Sequence, residues 1–242
     1  MAKRRSRKHR LPPFEHSGIL LVDKPKGWTS HDVVNLVKCR FNVKVGHCGT
    51  LDPAASGLLV LVLGKATKLS SDLSGFDKVY EGTVLFGLET DSQDMDGEVI
   101  AEKDTSSLTQ EDVLEVFNSF LGEQDQIPPM YSAVKKDGKK LYELAREGKV
   151  IEREPRRINI SILEVLKFYL PKADFRVKCS KGTFIRTLCS DIGKKLNTGA
   201  VLFDLRRTAS GEFDIEDAFS VEEIKTWTQD DLFEAVKKCT SF

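Results

Sequence analysis

Apolar positions along the chain fall into short blocks that switch between two periods. Ile19 to Val22, in GILLVDKPKGWTS, and Leu58 to Leu63, in SGLLVLVLG, are unbroken apolar runs closed by Gly or Pro, the mark of buried strands. Lys78 to Thr90 alternates in part and reads as another strand, and strands are also expected at Ile158 to Phe168 and Asp174 to Cys179. Helical spacing predicts a helix over His31 to Arg40, capped by Ser30, with Val33, Val34, Leu36 and Val37 near one face. In SLTQEDVLEVFNSFLG, Thr109 caps, Val113, Val116, Phe117 and Phe120 form the face, and Gly122 stops the helix. TFIRTLCSDIGKKL repeats the pattern with Leu188, Ile192 and Leu196. Helices and strands are interspersed without the steady alternation of a doubly wound fold, so the expected class is α+β. No repeat or Pro- or Ser-rich linker interrupts the chain, so the pieces are expected to share one core.

Composition narrows the class. With 242 residues and 40% apolar content, the chain can bury a full core. No run reaches the roughly 18 apolar residues that cross a bilayer, and the first residues lack a signal core, so a cytoplasmic protein with no membrane partner is expected. Five cysteines, an odd number without a CxxC pair, argue against a disulfide framework and a zinc site. No metal is expected. The stretch DSQDMDGEV resembles a calcium loop, but placing Gly97 sixth leaves Ser92 first and Lys103 twelfth, so it reads as an acidic turn.

Formal charge sums to zero but is segregated. Phe76 to Met130 carries −12 and Lys172 to Arg207 carries +6. Lys135 to Arg157 holds nine basic and five acidic residues, with Tyr131 just before it and Tyr142 inside it, and reads as an exposed hairpin or helical arm able to hold a polyanion. MAKRRSRKHR places six Lys or Arg in ten residues, which suits a solvated tail and a nucleic-acid-binding arm equally.

One acid stands out. In GHCGTLDPAASGLLVLVLG, Asp52 sits between a Gly-rich loop and the apolar run. Asp before Pro is a common helix start, with the carboxylate capping open amides. Alternatively, Pro53 biases Asp52 away from helical angles while Gly46 and Gly49 allow close approach to a ligand, so the carboxylate faces a cleft. No GxSxG elbow, GxGxxG loop or phosphate-cradling GxxxxGKS/T loop is present, which removes support from hydrolase and nucleotide-binding classes.

Five segments, GILLVDKPKGWTS, KVGHCGTLDPAASGLLVLVLGKATK, KVYEGTVLFGLETDSQDMDGEV, QIPPMYSAVKKDGKKLYELAREGK and CSKGTFIRTLCSDIGKKLNTGA, resemble in order the signatures of TruB-type tRNA pseudouridine synthases. The resemblance covers about Gly18 to Phe213 and favours the stand-alone bacterial type over relatives that work with guide RNAs. It implies a mixed, largely antiparallel sheet flanked by helices, with an RNA-binding insertion at about 127–157. It also implies uridine-55 in the T-arm of tRNA as substrate, no cofactor, base flipping, and action as a monomer. By this likeness Asp52 is the catalytic aspartate, Arg186 the basic residue paired with it, and Tyr80 the active-site tyrosine. His47 helps hold the target loop open, and Phe184 and Leu205 line the pocket. Phe184 stands where many members carry Tyr, so that hydroxyl's hydrogen bond is missing.

Lys24 is read as organising its loop and is left outside the catalytic set. Lys135, Lys136, Lys139 and Lys140 are expected to hold RNA. The expected organisation is a basic tail at 1–16, a catalytic domain at 17–213 and a short acidic helical segment at 214–242, without the PUA domain many relatives carry. A non-catalytic tRNA-binding or tRNA-folding module is the runner-up; the presence of Asp52, Tyr80 and Arg186 together favours the enzyme. A carboxylate glycosidase would need a second acid across the cleft.

Overall fold

A computed structural model describes residues 12–136 and 138–236. Of the basic tail expected at 1–16, residues 1–11 lie outside the described residues. The chain divides into two compact units, Met1–Phe76 with Arg207–Phe242, and Asp77–Arg206.

The first apolar run forms β1 (Gly18–Lys24), which extends past the run because Asp23 and Lys24 still pair, with Leu58 and Gly57. Helix α1 (Ser30–Phe41) is capped by Thr29 and not, as expected, by Ser30. Thr29 Oγ1 accepts from the Asp32 amide at 3.0 Å, and the Asp32 carboxylate accepts from the Thr29 amide at 2.9 Å, a reciprocal box that leaves Ser30 free to turn inward. Next come β2 (Val45–His47), β3 (Ser56–Leu63) and the short α2 (Ser70–Ser74).

The expected strand at Lys78 to Thr90 is two, β4 (Lys78–Phe86) and β5 (Leu88–Thr90), broken at Gly87. β6 (Val99–Glu102) pairs with β5 around the acidic turn. Helix α3 (Gln110–Asn118) is capped by Thr109 as expected, and β7 (Gly122–Gln126) begins at the glycine read as its stop. The basic arm is both hairpin and helix: β8 (Lys135–Lys136), β9 (Lys139–Lys140) and α4 (Leu141–Arg146). β10 (Arg156–Tyr169), β11 (Lys172–Cys179) and α5 (Ile185–Lys195) fall where the pattern put them. β12 (Ala200–Ser210) has no clear announcement in the sequence, because Asp204, Arg206, Arg207 and Thr208 break its apolar pattern. β13 (Phe213–Asp214), β14 (Phe219–Ser220), α6 (Val221–Thr226) and α7 (Gln229–Ala235) complete the described chain.

In the first unit the strand order is β14-β1-β3-β12, with β2 also on β3. β1 pairs parallel to β14 and antiparallel to β3. All of β3 after Ser56 is buried, because both of its faces are covered. Leu59, Leu61 and Leu63 pack with Val37 and Phe41 of α1 and Ile224 of α6; Leu58, Val60 and Val62 pack with Leu21, Leu73 and Phe213. Burial on two faces is why this strand reads as a continuous apolar run and not as an alternation.

In the second unit the order is β12-β4-β11-β10-β7, with β4, β11, β10 and β7 antiparallel to one another in turn. α3 packs on β10 and α5, and Phe117 of α3 meets Phe175 of β11 edge to face at 6.2 Å. β12 is shared by residue range, Ala200–Arg206 in the second unit and Arg207–Ser210 in the first. No helix among the described residues is long and apolar enough to cross a membrane.

Candidate active site

Asp52 lies exposed on the loop between β2 and β3. No helix starts there. The Ala55 amide donates to the Asp52 carbonyl at 3.1 Å to make a turn, and β3 follows, so the helix-cap reading of this acid is excluded. Around it the backbone is held by hydrogen bonds, from the buried Ser30 and Lys24 side chains and from the Gly27 amide. Ser30 Oγ, 2% exposed as a residue, accepts from the Leu51 amide at 2.8 Å and donates to the Leu51 carbonyl at 3.0 Å. The Gly27 amide donates to the Pro53 carbonyl at 2.8 Å. Lys24 Nζ donates to the carbonyls of Ala55 (2.5 Å), Trp28 (2.7 Å) and Pro25 (3.0 Å). Residues 51, 53 and 55 are thus bonded in turn while the carboxylate between them stays at the surface, the way a reactive group is kept still without being covered.

Lys24 is fully buried, which brings its ammonium down to about 8 although the Asp52 carboxylate pulls the other way. It organises the loop, as its sequence suggests. His47, half-buried at the end of β2, has a buried Nδ1 that meets no hydrogen-bond partner among the described residues. Burial and the Arg207 guanidinium hold this imidazole below its ordinary pKa, against an opposing pull from the Gly49 backbone.

In the second unit, the start of α5 carries two of the expected residues. The Gln126 side chain grips Phe184 at both backbone groups: Oε1 accepts from the Phe184 amide at 2.8 Å and Nε2 donates to its carbonyl at 3.1 Å. Arg186, 8% exposed, donates to the carbonyls of Ser92 (3.1 Å) and Tyr131 (3.0 Å) and pairs with Asp94 at 3.3 Å. Two carboxylates of the acidic turn that resembled a calcium loop are therefore engaged by the protein's own groups, while Asp96 and Glu98 stay exposed. Asp94 takes Arg186 and the Ser92 hydroxyl, and Asp91 accepts from the Tyr131 hydroxyl at 2.8 Å, which raises that phenol's pKa.

Tyr80 is buried on β4 opposite Val177. Two residues on, a Cβ at Gly82 would stand 2.9 Å from both the Asp204 carbonyl and the Phe175 ring, so only glycine lets these come so close. Leu205 lies half-buried on β12, the neighbour of β4. In the arm, Lys135 faces Lys140 and Lys136 faces Lys139. Lys135 and Lys139 are exposed, whereas Lys136 Nζ donates to the Glu152 carbonyl at 2.6 Å and Lys140 lies 5.3 Å from the Tyr142 ring centre.

The fold thus puts His47 and Asp52 on one loop, Phe184 and Arg186 at one helix start, and Tyr80 and Leu205 on neighbouring strands. The four lysines form a separate two-stranded hairpin. Sequence reasoning read Ser30 only as a helix cap and missed Asp94 and Gln126. Each is a polar residue whose partner is a backbone group or a charge distant in the chain, and none stands out from its neighbours, Gln126 following Gln124 by two residues.

Comparison with known proteins gives these helix-flanked strands the fold of the pseudouridine synthases. Among solved structures, a chain of a Cbf5–Nop10–Gar1 complex is 31% identical with a TM-score of 0.69, covering 91% of this chain and 57% of that one. An H/ACA RNP bound to a substrate RNA containing 2′-deoxyuridine matches at 27% identity and a TM-score of 0.67, with 56% of that chain covered. This chain therefore spans little more than half the length of those two. Residues 36–185 match the TruB family pseudouridylate synthase (N terminal domain), and residues 186–239 the tRNA pseudouridylate synthase B C-terminal domain. Curated relatives named tRNA pseudouridine synthase B include one from Opitutus terrae, 48% identical over 88% of this chain and 89% of its own length. Another, from Azoarcus sp., is 50% identical over 89% of this chain and 72% of its own length. The chain belongs to the TruB family.

Proposed function

We propose that this protein isomerises uridine-55 in the T-loop of tRNA to pseudouridine, with Asp52 as the nucleophile. The observation that carries the reading is the loop itself: an exposed carboxylate whose neighbours Leu51 and Ala55 are bonded to the buried Ser30 and Lys24 side chains, with Pro53 tied to the Gly27 amide. The bond from C1′ to N1 of uracil breaks, the base turns, and C1′ bonds to C5; C5 gives up its proton and N1 gains one. Nothing is oxidised and no group is added, so a carboxylate and a dry pocket meet the chemical need without a cofactor.

The roles implied by the family belong to the same proposal. Asp52 acts in its ionised form, and the bond it makes to the nucleotide as N1 leaves C1′ is broken again when C1′ bonds to C5; Arg186 is its cationic partner, and Tyr80 stacks on the base and offers a hydroxyl for proton transfer. His47 enters when the target base leaves its stack. Its depressed pKa, caused by burial and by the Arg207 guanidinium, supports a neutral imidazole in that role. Phe184 and Leu205 wall the flipped base, and the arm lysines hold phosphates.

The test is to incubate the protein with an unmodified tRNA transcript and map pseudouridine at every uridine. Product is expected at position 55. The Asp52→Asn variant should make none while binding tRNA within about 3-fold of wild type, because a lost nucleophile deletes a step and not the phosphate contacts. Turnover by Asp52→Asn near the wild-type rate would refute the assignment.

A further inference from the structure

Arg207 is 1% exposed and among the largest fully buried side chains in the protein. Its guanidinium donates to two main-chain carbonyls, Nε to Leu58 at 2.7 Å and Nη2 to Gly49 at 3.1 Å. Gly49 lies three residues before Asp52 and Leu58 six after it, so one planar group touches both stems of the loop that presents the acid. The backbone contact is equally close. Gly57 has φ +105°, and a Cβ there would stand 2.3 Å from the Arg207 carbonyl oxygen, so the first stretch of β3 lies directly against this residue.

An arginine is an expensive way to fill that space. Burying a cation costs free energy unless charge and hydrogen bonds compensate, and an apolar side chain of similar volume would be the cheaper filler. Arg207 also disfavours protonation of Lys24 and His47. A guanidinium does offer what neither an apolar residue nor a lysine can, several donors at fixed angles in one rigid plane.

The geometry points to Arg207 as a positioning residue of the reaction, a rigid fork that sets the separation of the Gly49 and Leu58 stems and so the stance of Asp52. This rests on the reading of Asp52 as the nucleophile. Arg207 touches no reacting atom in this account. It acts through Gly49 and Leu58, and the expected signature is a loss in the chemical step with little loss in tRNA affinity.

Arg207→Lys and Arg207→Met separate the fork from charge and bulk. Single-turnover rate at saturating tRNA and Kd would be measured per folded molecule, with folding counted by near-UV circular dichroism, alongside amide hydrogen exchange over Gly49–Leu58. Arg207→Lys keeps the charge and most of the volume but not the planar pair of donors. It should slow the chemical step about 10- to 100-fold, the loss a displacement on the order of 1 Å produces, with Kd within about 3-fold and faster exchange confined to this loop. Arg207→Met should lose at least as much rate. A folded Arg207→Lys protein turning over at the wild-type rate overturns the proposal. So does failure of both variants to fold, which would make the residue a requirement of the core. If the wild-type chain makes no pseudouridine, the functional reading fails by itself, and loop exchange alone then decides whether Arg207 sets the loop.

Discussion

Replacing Ser30 by Ala deletes one oxygen and tests how the Asp52 loop is held. That oxygen makes two bonds to the residue preceding the acid, accepting from the Leu51 amide at 2.8 Å and donating to its carbonyl at 3.0 Å. Ser30 and Leu51 are 2% and 3% exposed, so water does not readily replace the hydroxyl. The substitution leaves a buried N–H and a buried C=O without this partner, at about 1–3 kcal/mol each; the carbonyl sits toward the low end because it has a second lone pair, for a total of about 2–4 kcal/mol. The methyl of alanine nearly fills the space, so little is added for a cavity.

For a chain of this length each kcal/mol moves the melting temperature by roughly 2–4 °C, so Tm should fall by about 5–15 °C. The Leu51 peptide adjoins Asp52 directly, so the chemical step should also slow, by about 10-fold or more, with tRNA affinity held. Urea and thermal unfolding followed by circular dichroism measure the first effect, and single-turnover formation of pseudouridine the second. A Tm within 2 °C of wild type together with an unchanged rate would show that the loop does not depend on this hydroxyl, and the account of how Asp52 is held would fall.

Asp94→Asn keeps the shape but removes the charge that holds Arg186 at 3.3 Å, so turnover should drop about 10- to 100-fold, or about 1.4–2.7 kcal/mol in the barrier, with KM little changed; an unaltered rate would show that this pair does not serve the site. Replacing the exposed Lys135 and Lys139 by Ala should flatten the log-log salt dependence of tRNA affinity by about 1.5–2, with Lys136 and Lys140 adding less because the protein already engages their side chains; equal slopes in a salt titration would remove the arm from tRNA binding. Lys24 carries a folded pKa of about 8 against an ordinary 10.5, so between these values the unfolded chain binds the extra proton. The cost of burying the charge is therefore present below about pH 8 and relieved as pH rises to about 10.5, while the neutral amine loses one of three donors and the loop loosens. Turnover should fall above pH 8 as the stability contribution rises, and Lys24→Met should abolish both trends in pH–rate and pH–unfolding profiles; persistence of both in the variant would assign them elsewhere.

The elements that were legible from residue order are those whose signal is local. The runs of β1 and β3, the Thr109 cap and the face of α5 follow from spacing within a dozen residues, while charge marked the basic arm as a hairpin or a helix and the fold contains both. The candidate residues were legible for another reason: GHCGTLDP, KVYEG and GTFIRT carry a family's signature in short words. Where the same kind of local reading failed, a competitor sat next door. Thr29 and Ser30 are both good caps, and the choice between them went to Thr29 because Ser30 has Leu51 to bind, 21 residues away.

Tertiary structure decided what holds the candidate groups. Nothing near Arg207 in sequence points to Gly49 or Leu58, which lie 158 and 149 residues away, and nothing near Arg186 points to Ser92 and Asp94, the first of them 94 residues away. β12 escaped notice because its pattern mixes core and site duties, with Val201 and Leu202 buried for packing and Arg207 buried for its bonds to carbonyls. A main-chain carbonyl is the same in every residue and leaves no trace in composition or periodicity. Which polar side chain it meets is set only when distant strands are brought side by side, and in this protein the aspartate loop is held mostly by such bonds.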